Sequence, residues 1–192
     1  MSYCRIHIFG ASGSGTTTLA TAIAGHLGWA HFDTDDYFWL QTDPPFSDIR
    51  SVEERLAMLR QDLAQKKSWL LSGALDGWGD PLIPLFDLVV FLYVPWPVRL
   101  RRLHDREIER FGRAGIAPGG RTHGSFLKLI EWASKYDTAG TEMRSLVRHQ
   151  RWIESLTCAK LTIEGTPTLN ESVAQVMKIL KSDGSPGGSG TK

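Results

Sequence analysis

The chain has 192 residues and a net charge of +1, with 42% hydrophobic and 22% charged residues, the size and balance of one globular domain with no bulk field for holding a nucleic acid. Its two cysteines, Cys4 and Cys158, make no disulfide framework. No apolar run reaches the length of a membrane span and no signal peptide is visible, so a cytoplasmic protein without a membrane or nucleic-acid partner is expected, as a monomer or homodimer.

In chain order, Tyr3–Phe9 reads as a buried strand, and Cys4 and Cys158, both at strand starts, read as buried thiols. Gly10–Thr18, GASGSGTTT, follows, and then Leu19, Ile23 and Leu27 at helical spacing. A glycine-rich turn between strand and helix aims several backbone N–H groups at one spot, and the helix dipole adds positive potential there. This is an anion site, and a phosphate chain fits it. Gly10 and Gly15 hold the fixed glycine positions of G-x-x-x-x-G-K-[ST], with Ser12, Gly13, Ser14 and Thr18 in and beside the cradle. Thr17 takes the position whose hydroxyl ligates Mg²⁺, and Thr16 stands where the motif has lysine.

Trp29–Asp35 reads as a second strand carrying Asp33 and Asp35 on one side of its carboxyl end, where α/β sheets bind ligands. The alternative is a solvated DTDDY turn with Asp36 as a helix cap. Ser51 with Glu54 is a capping box for a helix with Leu56, Leu59 and Leu63 on its apolar face, and Arg50 and Arg55 at its start are either surface charges or clamps for an acidic substrate. Trp69–Ser72 is a short buried strand running into the loop Gly73–Asp80, with Asp76 as a polar candidate. Trp39 and Trp78 are placed near the rim, either packed or stacked on a base or sugar.

Asp87–Val94 is an apolar strand covered on both faces. Pro95 and Pro97 open a helix on which Arg99, Arg102, Arg106 and Arg110 share one face, and Phe111–Gly124 reads as a flexible basic loop, so that helix and loop together look like a lid. Helices are expected over Ser125–Tyr136 and Glu142–Leu156, then a strand at Lys160–Ile163 and a helix opened by the Thr168/Glu171 capping box. Strand and helix alternate about five times, which gives a parallel sheet with helices on both faces. The histidines show no ligand spacing for zinc.

Over most of residues 3–180 the chain resembles small P-loop kinases of the adenylate, shikimate and gluconate kinase type. The resemblance implies a three-layer P-loop NTPase fold with about five parallel strands, one domain over 1–181 with a lid near 107–124, while the Gly/Ser/Pro-rich composition of 182–192 predicts a disordered tail. Phe32–Asp35, FDTD, is similar to the F-x-D-x-D segment of shikimate kinases, which gives Asp33 a role in holding Mg²⁺ and Asp35 contact with the acceptor hydroxyl. Ser72–Gly77 resembles the substrate loop and Gly165–Pro167 the loop bordering adenine, while Arg106, Arg110 and Arg113 fall where lid arginines stand.

The expected activity is transfer of the γ-phosphoryl group of MgATP to a nucleoside monophosphate or a small hydroxylated metabolite. Asp33, Asp35, Arg106 and Arg110 are the catalytic set; Gly10, Ser12, Gly13, Ser14, Gly15, Thr16, Thr17, Thr18, Arg102 and Pro167 bind the nucleotide; Thr17 and Asp33 hold the metal; Arg50, Arg55, Gly73 and Asp76 face the acceptor. Thr16 keeps a second expectation open, a nucleotide-binding protein with little or no kinase activity.

Overall fold

A computed structural model describes residues 4–43 and 45–182. Tyr3 of the expected first strand, and 183–192 of the expected disordered tail, lie outside the described residues. Five parallel strands form one sheet: β1 Arg5–Gly10, β2 Ala30–Asp33, β3 Trp69–Ser72, β4 Leu88–Tyr93 and β5 Ala159–Glu164, in the order β2-β3-β1-β4-β5. Parallel neighbours need long crossovers, and helices supply them on both faces.

The alternation of side chains along β1 builds two cores. Ile6 and Ile8 face helices α1 (Thr16–Leu27) and α7 (Leu169–Ser182), packing with Leu19, Ile23 and Val176. His7 and Phe9 face the other layer, which contains α2 (Thr34–Phe38), α3 (Val52–Ala64) and α6 (Leu146–Ser155), with Trp69, Leu59, Phe86 and Ile153 in the core. Each fully buried Leu, Ile or Phe in these layers contributes about 1.5–3 kcal/mol. The remaining α-helices among the described residues are α4 (Trp96–Ile116) and α5 (His123–Ser134). Both capping boxes form: Ser51 and Glu54 close one on α3, and Thr168 and Glu171 close the other before α7.

The structure corrects four expectations. The second strand stops at Asp33, because the Asp33 carboxylate accepts the N–H of Asp35 and starts α2; Asp33, not Asp36, is the cap, and Asp35 lies on a helix. The segment 111–124 is not a loop throughout: α4 continues to Ile116 across an irregular Gly112 (φ 74°), and bonds from Gly120, Thr122 and His123 to carbonyls of residues 115–117 tie the turn that follows. The expected helix at Glu142 begins only at Leu146, because Ser145 caps it by accepting from Arg148 N–H. Cys4 and Cys158 are half-buried rather than buried. Among the described residues no helix is long and apolar enough to cross a membrane.

Candidate functional site

At its carboxyl end β1 runs into Gly10, where a side chain would meet Leu92 O at 2.5 Å and Ser14 Oγ at 2.6 Å. The turn closes with Ser14 N–H donating to Ala11 O at 3.0 Å. Gly13 (φ 81°) and Gly15 (φ 96°) are left-handed, a conformation glycine takes without strain. Helix α1 then starts at Thr16 with no side chain capping it, so the first-turn N–H groups of Thr16, Thr17 and Thr18 are left for a ligand. Ser14 Oγ is buried and has no hydrogen-bond partner among the described residues. Gly10, Ser12, Gly13, Ser14, Gly15, Thr16, Thr17 and Thr18 all line one cleft of about 520 Å³ at the carboxyl rim of the sheet.

Asp33 is brought to this rim by the end of β2. Its Oδ2 accepts from Thr17 Oγ1 at 2.7 Å and from Ser72 Oγ at 2.8 Å, and its Oδ1 accepts from Asp35 N–H at 3.0 Å. Parallel pairing sets Asp33 level with Ser72 and Ser72 level with Ile8, so the ends of three strands converge here. A hydroxyl and a carboxylate side by side are hard oxygen donors that suit Mg²⁺, which completes its shell from phosphates and water. No cluster of three or more His, Cys, Asp or Glu that would hold a metal by itself exists among the described residues.

Asp35 lines the same cleft, reachable by solvent from its open side but crowded by protein around it. Burial and then the nearby Asp33 charge push its carboxyl above the ordinary aspartate value, while Arg144, Arg106 and Arg110 pull the other way. Among the described residues three cations line the cleft. Arg102 donates from Nη1 to Ser14 O at 2.9 Å and so sits on the glycine turn. Arg106 is held by Glu107, buried on the same helix, through Nε at 3.1 Å. Arg144, which the sequence reading did not single out, enters from the turn before α6. Gly73 and Pro167 also line the cleft, from the loops after β3 and β5.

Other expected site residues are placed elsewhere. Arg55 is buried under Phe38, its guanidinium 4.1 Å from the ring centroid, and donates to Arg50 O at 2.7 Å; Arg50 in turn donates to Tyr37 O at 3.1 Å. Neither lines the cleft, because both guanidinium groups satisfy backbone carbonyls around α2. Asp76 turns away from the cleft into Arg144, Arg148 and His149, with Arg148 Nε 3.1 Å from Oδ2 and His149 Nε2 3.5 Å from Oδ1. Burial alone would raise its pKa, but the His149 ring and the two arginines hold it down at about 2. Arg110 lies over Phe46, 4.9 Å from the centroid, and outside the cleft lining. Arg99, the first of the expected arginine stripe, is fully buried and bonded to Val94 O and Asp137. Trp78 is in the core, donating to Ala74 O, and Trp39 packs against Phe38 and Phe46.

His31 was not singled out from the sequence, and Ser72, expected in the substrate loop, instead donates to Asp33. His31 had an available signal: two residues before Asp33 on one strand, it shares that residue's face. Arg144 had none, since only the tertiary fold brings it to Asp35.

No family model matches the chain. Over 179 residues, 93% of this chain and 98% of the relative, it is 45% identical to the uncharacterized protein YqaC of Bacillus subtilis (strain 168). The chain belongs to the YqaC family. The YqaC-family fold matches solved structures of P-loop kinases. Shikimate kinase from Bacteroides thetaiotaomicron superposes with a TM-score of 0.55 at 20% identity, covering 94% of this chain and 99% of that one. Shikimate kinase from Acinetobacter baumannii, in complex with shikimate, gives 0.54 at 15% identity and 96% coverage of both chains. A gluconokinase from Sinorhizobium meliloti 1021 gives 0.54 at 19% identity, covering 93% of this chain and 92% of that one. These likenesses establish the fold, a three-layer α/β domain with a five-stranded parallel sheet flanked by helices, as in those kinase structures.

Proposed function

We propose that this protein binds MgATP and transfers its γ-phosphoryl group to a nucleoside monophosphate or another small hydroxylated metabolite. The observation that carries this reading is the uncapped start of α1 behind Gly13 and Gly15, with Thr17 joined to Asp33 beside it. Phosphate oxygens take the N–H groups that the turn and the uncapped start of α1 leave free, those of Thr16, Thr17 and Thr18. Bound at Thr17 and Asp33, Mg²⁺ would neutralise charge on the β- and γ-phosphates. Arg102 and Pro167 border the base. The acceptor oxygen attacks the γ-phosphorus, the bond from that phosphorus to the β,γ-bridging oxygen breaks, ADP leaves, and Asp35 takes the acceptor proton. Crowding by protein and the nearby Asp33 charge raise the pKa of Asp35, which makes its carboxylate a stronger base than an ordinary aspartate.

Thr16 offers no charge to the outer phosphates, and losing one such contact commonly costs about two to three orders of magnitude in rate. In this reading Arg106, with Nε tied to Glu107 and its guanidinium on the cleft, supplies that charge from α4. Arg144, near Asp35, takes the position for an anionic group on the acceptor, the role expected of Arg50 or Arg55.

Thr16 favours a second reading, a nucleotide-binding protein with little or no transfer, whose response to ATP is conformational. Calorimetric titration with MgATP, paired with an ADP-release assay across an acceptor panel, separates the two on wild type and Thr16→Lys. Binding with acceptor-dependent ADP release by wild type supports the kinase. Binding with transfer only in Thr16→Lys supports the second reading, and no binding by either protein contradicts both.

A further inference from the structure

Behind the Thr17–Asp33 pair a hydrogen-bonded chain runs back through the sheet to the surface of α1. Thr21 Oγ1 lies 3.2 Å from His31 Nδ1, His31 Nε2 lies 2.9 Å from Ser72 Oγ, and Ser72 Oγ donates to Asp33 Oδ2 at 2.8 Å. The direction of each bond follows from donor counting. Asp33 accepts three bonds and donates none, so the single proton of Ser72 is on the Asp33 side. Ser72 is fully buried, and its oxygen has only lone pairs left for His31, so His31 Nε2 carries a proton. In a neutral ring Nδ1 is then bare and accepts from the Thr21 hydroxyl.

We infer that His31 is a positioning residue for Asp33: by donating to Ser72 it fixes the hydroxyl that, with Thr17 and the Asp35 N–H, holds the Asp33 carboxylate in its place beside the phosphate cradle. The inference rests on the reading of Thr17 and Asp33 as the metal-holding pair. Without a ring donor at position 31, the Ser72 hydroxyl rotates and the carboxylate loses one of three fixed donors. Partners of this outer kind commonly govern metal affinity by 10–100-fold. Leucine at position 31 removes the donor, and glutamine restores an N–H of similar reach.

The test is ADP binding to the full chain with EDTA and with Mn²⁺, for wild type, His31→Leu and His31→Gln, alongside ¹⁵N NMR of the histidine rings. Expected are an Nε2–H tautomer for His31 in wild type, a gain in ADP affinity from Mn²⁺ that falls about tenfold in His31→Leu, metal-free ADP affinity unchanged by the substitution, and recovery of most of the gain in His31→Gln. An Nδ1–H tautomer overturns the inference. So does an undiminished Mn²⁺ gain in His31→Leu, or an equal loss with and without metal, which marks a merely structural role. If wild type binds ADP in neither condition, the proposed function itself fails and this inference with it.

Discussion

Thr17 Oγ1 donates to Asp33 Oδ2 at 2.7 Å, which ties the first turn of α1 to the end of β2. One residue comes from the phosphate-binding turn and the other from the strand that leads to Asp35. In the proposed function the bond couples the place where a phosphate chain would sit to the place where an acceptor would be deprotonated.

Thr17→Ala removes the hydroxyl and leaves the backbone N–H groups of the turn intact. MgATP affinity is expected to fall about 10–100-fold, with metal-free nucleotide affinity nearly unchanged. Titration with and without Mg²⁺ measures both, and an unaltered dependence on Mg²⁺ contradicts the assignment of Thr17.

Gly13 carries a φ of +81°, and a side chain there would stand 2.8 Å from Arg99 O and 3.1 Å from Leu103 Cγ. Gly13→Ala is expected to cost at least about 1–2 kcal/mol from the left-handed backbone alone, and to push α4 off the turn. Urea unfolding reads the stability loss. A midpoint equal to that of wild type shows that the turn and α4 are not in contact.

Much of the fold was legible because it rests on local patterns. WLLS and DLVVFLYV are strands bounded by turn residues, and both capping boxes form where S-x-x-E and T-x-x-E stand. The glycine turn was legible for the same reason. The arginines were not. Helical spacing put Arg99, Arg102, Arg106 and Arg110 on one face, but a face spans different neighbours along a long helix: Arg99 meets the α5 end and Asp137, Arg102 the glycine turn, and Arg110 the ring of Phe46. Asp76 and Arg144 were misjudged or missed because their pairing joins the loop after β3 to the start of α6, which no spacing encodes.

Asp76 is 8% exposed and faces Arg144, Arg148 and His149. Asp76→Ala leaves those groups without their carboxylate, and a loss of about 3–5 kcal/mol is expected, as for breaking other buried pairs. Arg144 is then released from its anchor beside Asp35, so acceptor affinity falls as well. Thermal unfolding with an acceptor titration checks this, and an unfolding temperature equal to that of wild type contradicts it.

His7 is fully buried among Phe9, Phe86 and Trp152, with Nε2 unpartnered among the described residues. Burial lowers its pKa from 6.5 to about 3, against the pull of Leu71 O. Because the folded value lies below the unfolded one, the unfolded chain binds the extra proton: the His7 contribution is complete above pH 6.5 and is lost as pH falls toward 3. It amounts to as much as about 1.4 kcal/mol per pH unit. Denaturant unfolding at pH 7 and pH 5 is expected to show a smaller difference for His7→Phe than for wild type, with His31 and His149 supplying what remains. Equal differences in the two proteins contradict this account of His7.

The most direct measurement of the central claim is ³¹P NMR of MgATP with the purified protein, alone and then with nucleoside monophosphates, small hydroxy acids and sugars. The account predicts ATP resonances altered by the protein in an Mg²⁺-dependent way, and with one acceptor a new phosphoester signal rising with ADP. ATP resonances unchanged by the protein, with no phosphoester from any acceptor, would contradict it.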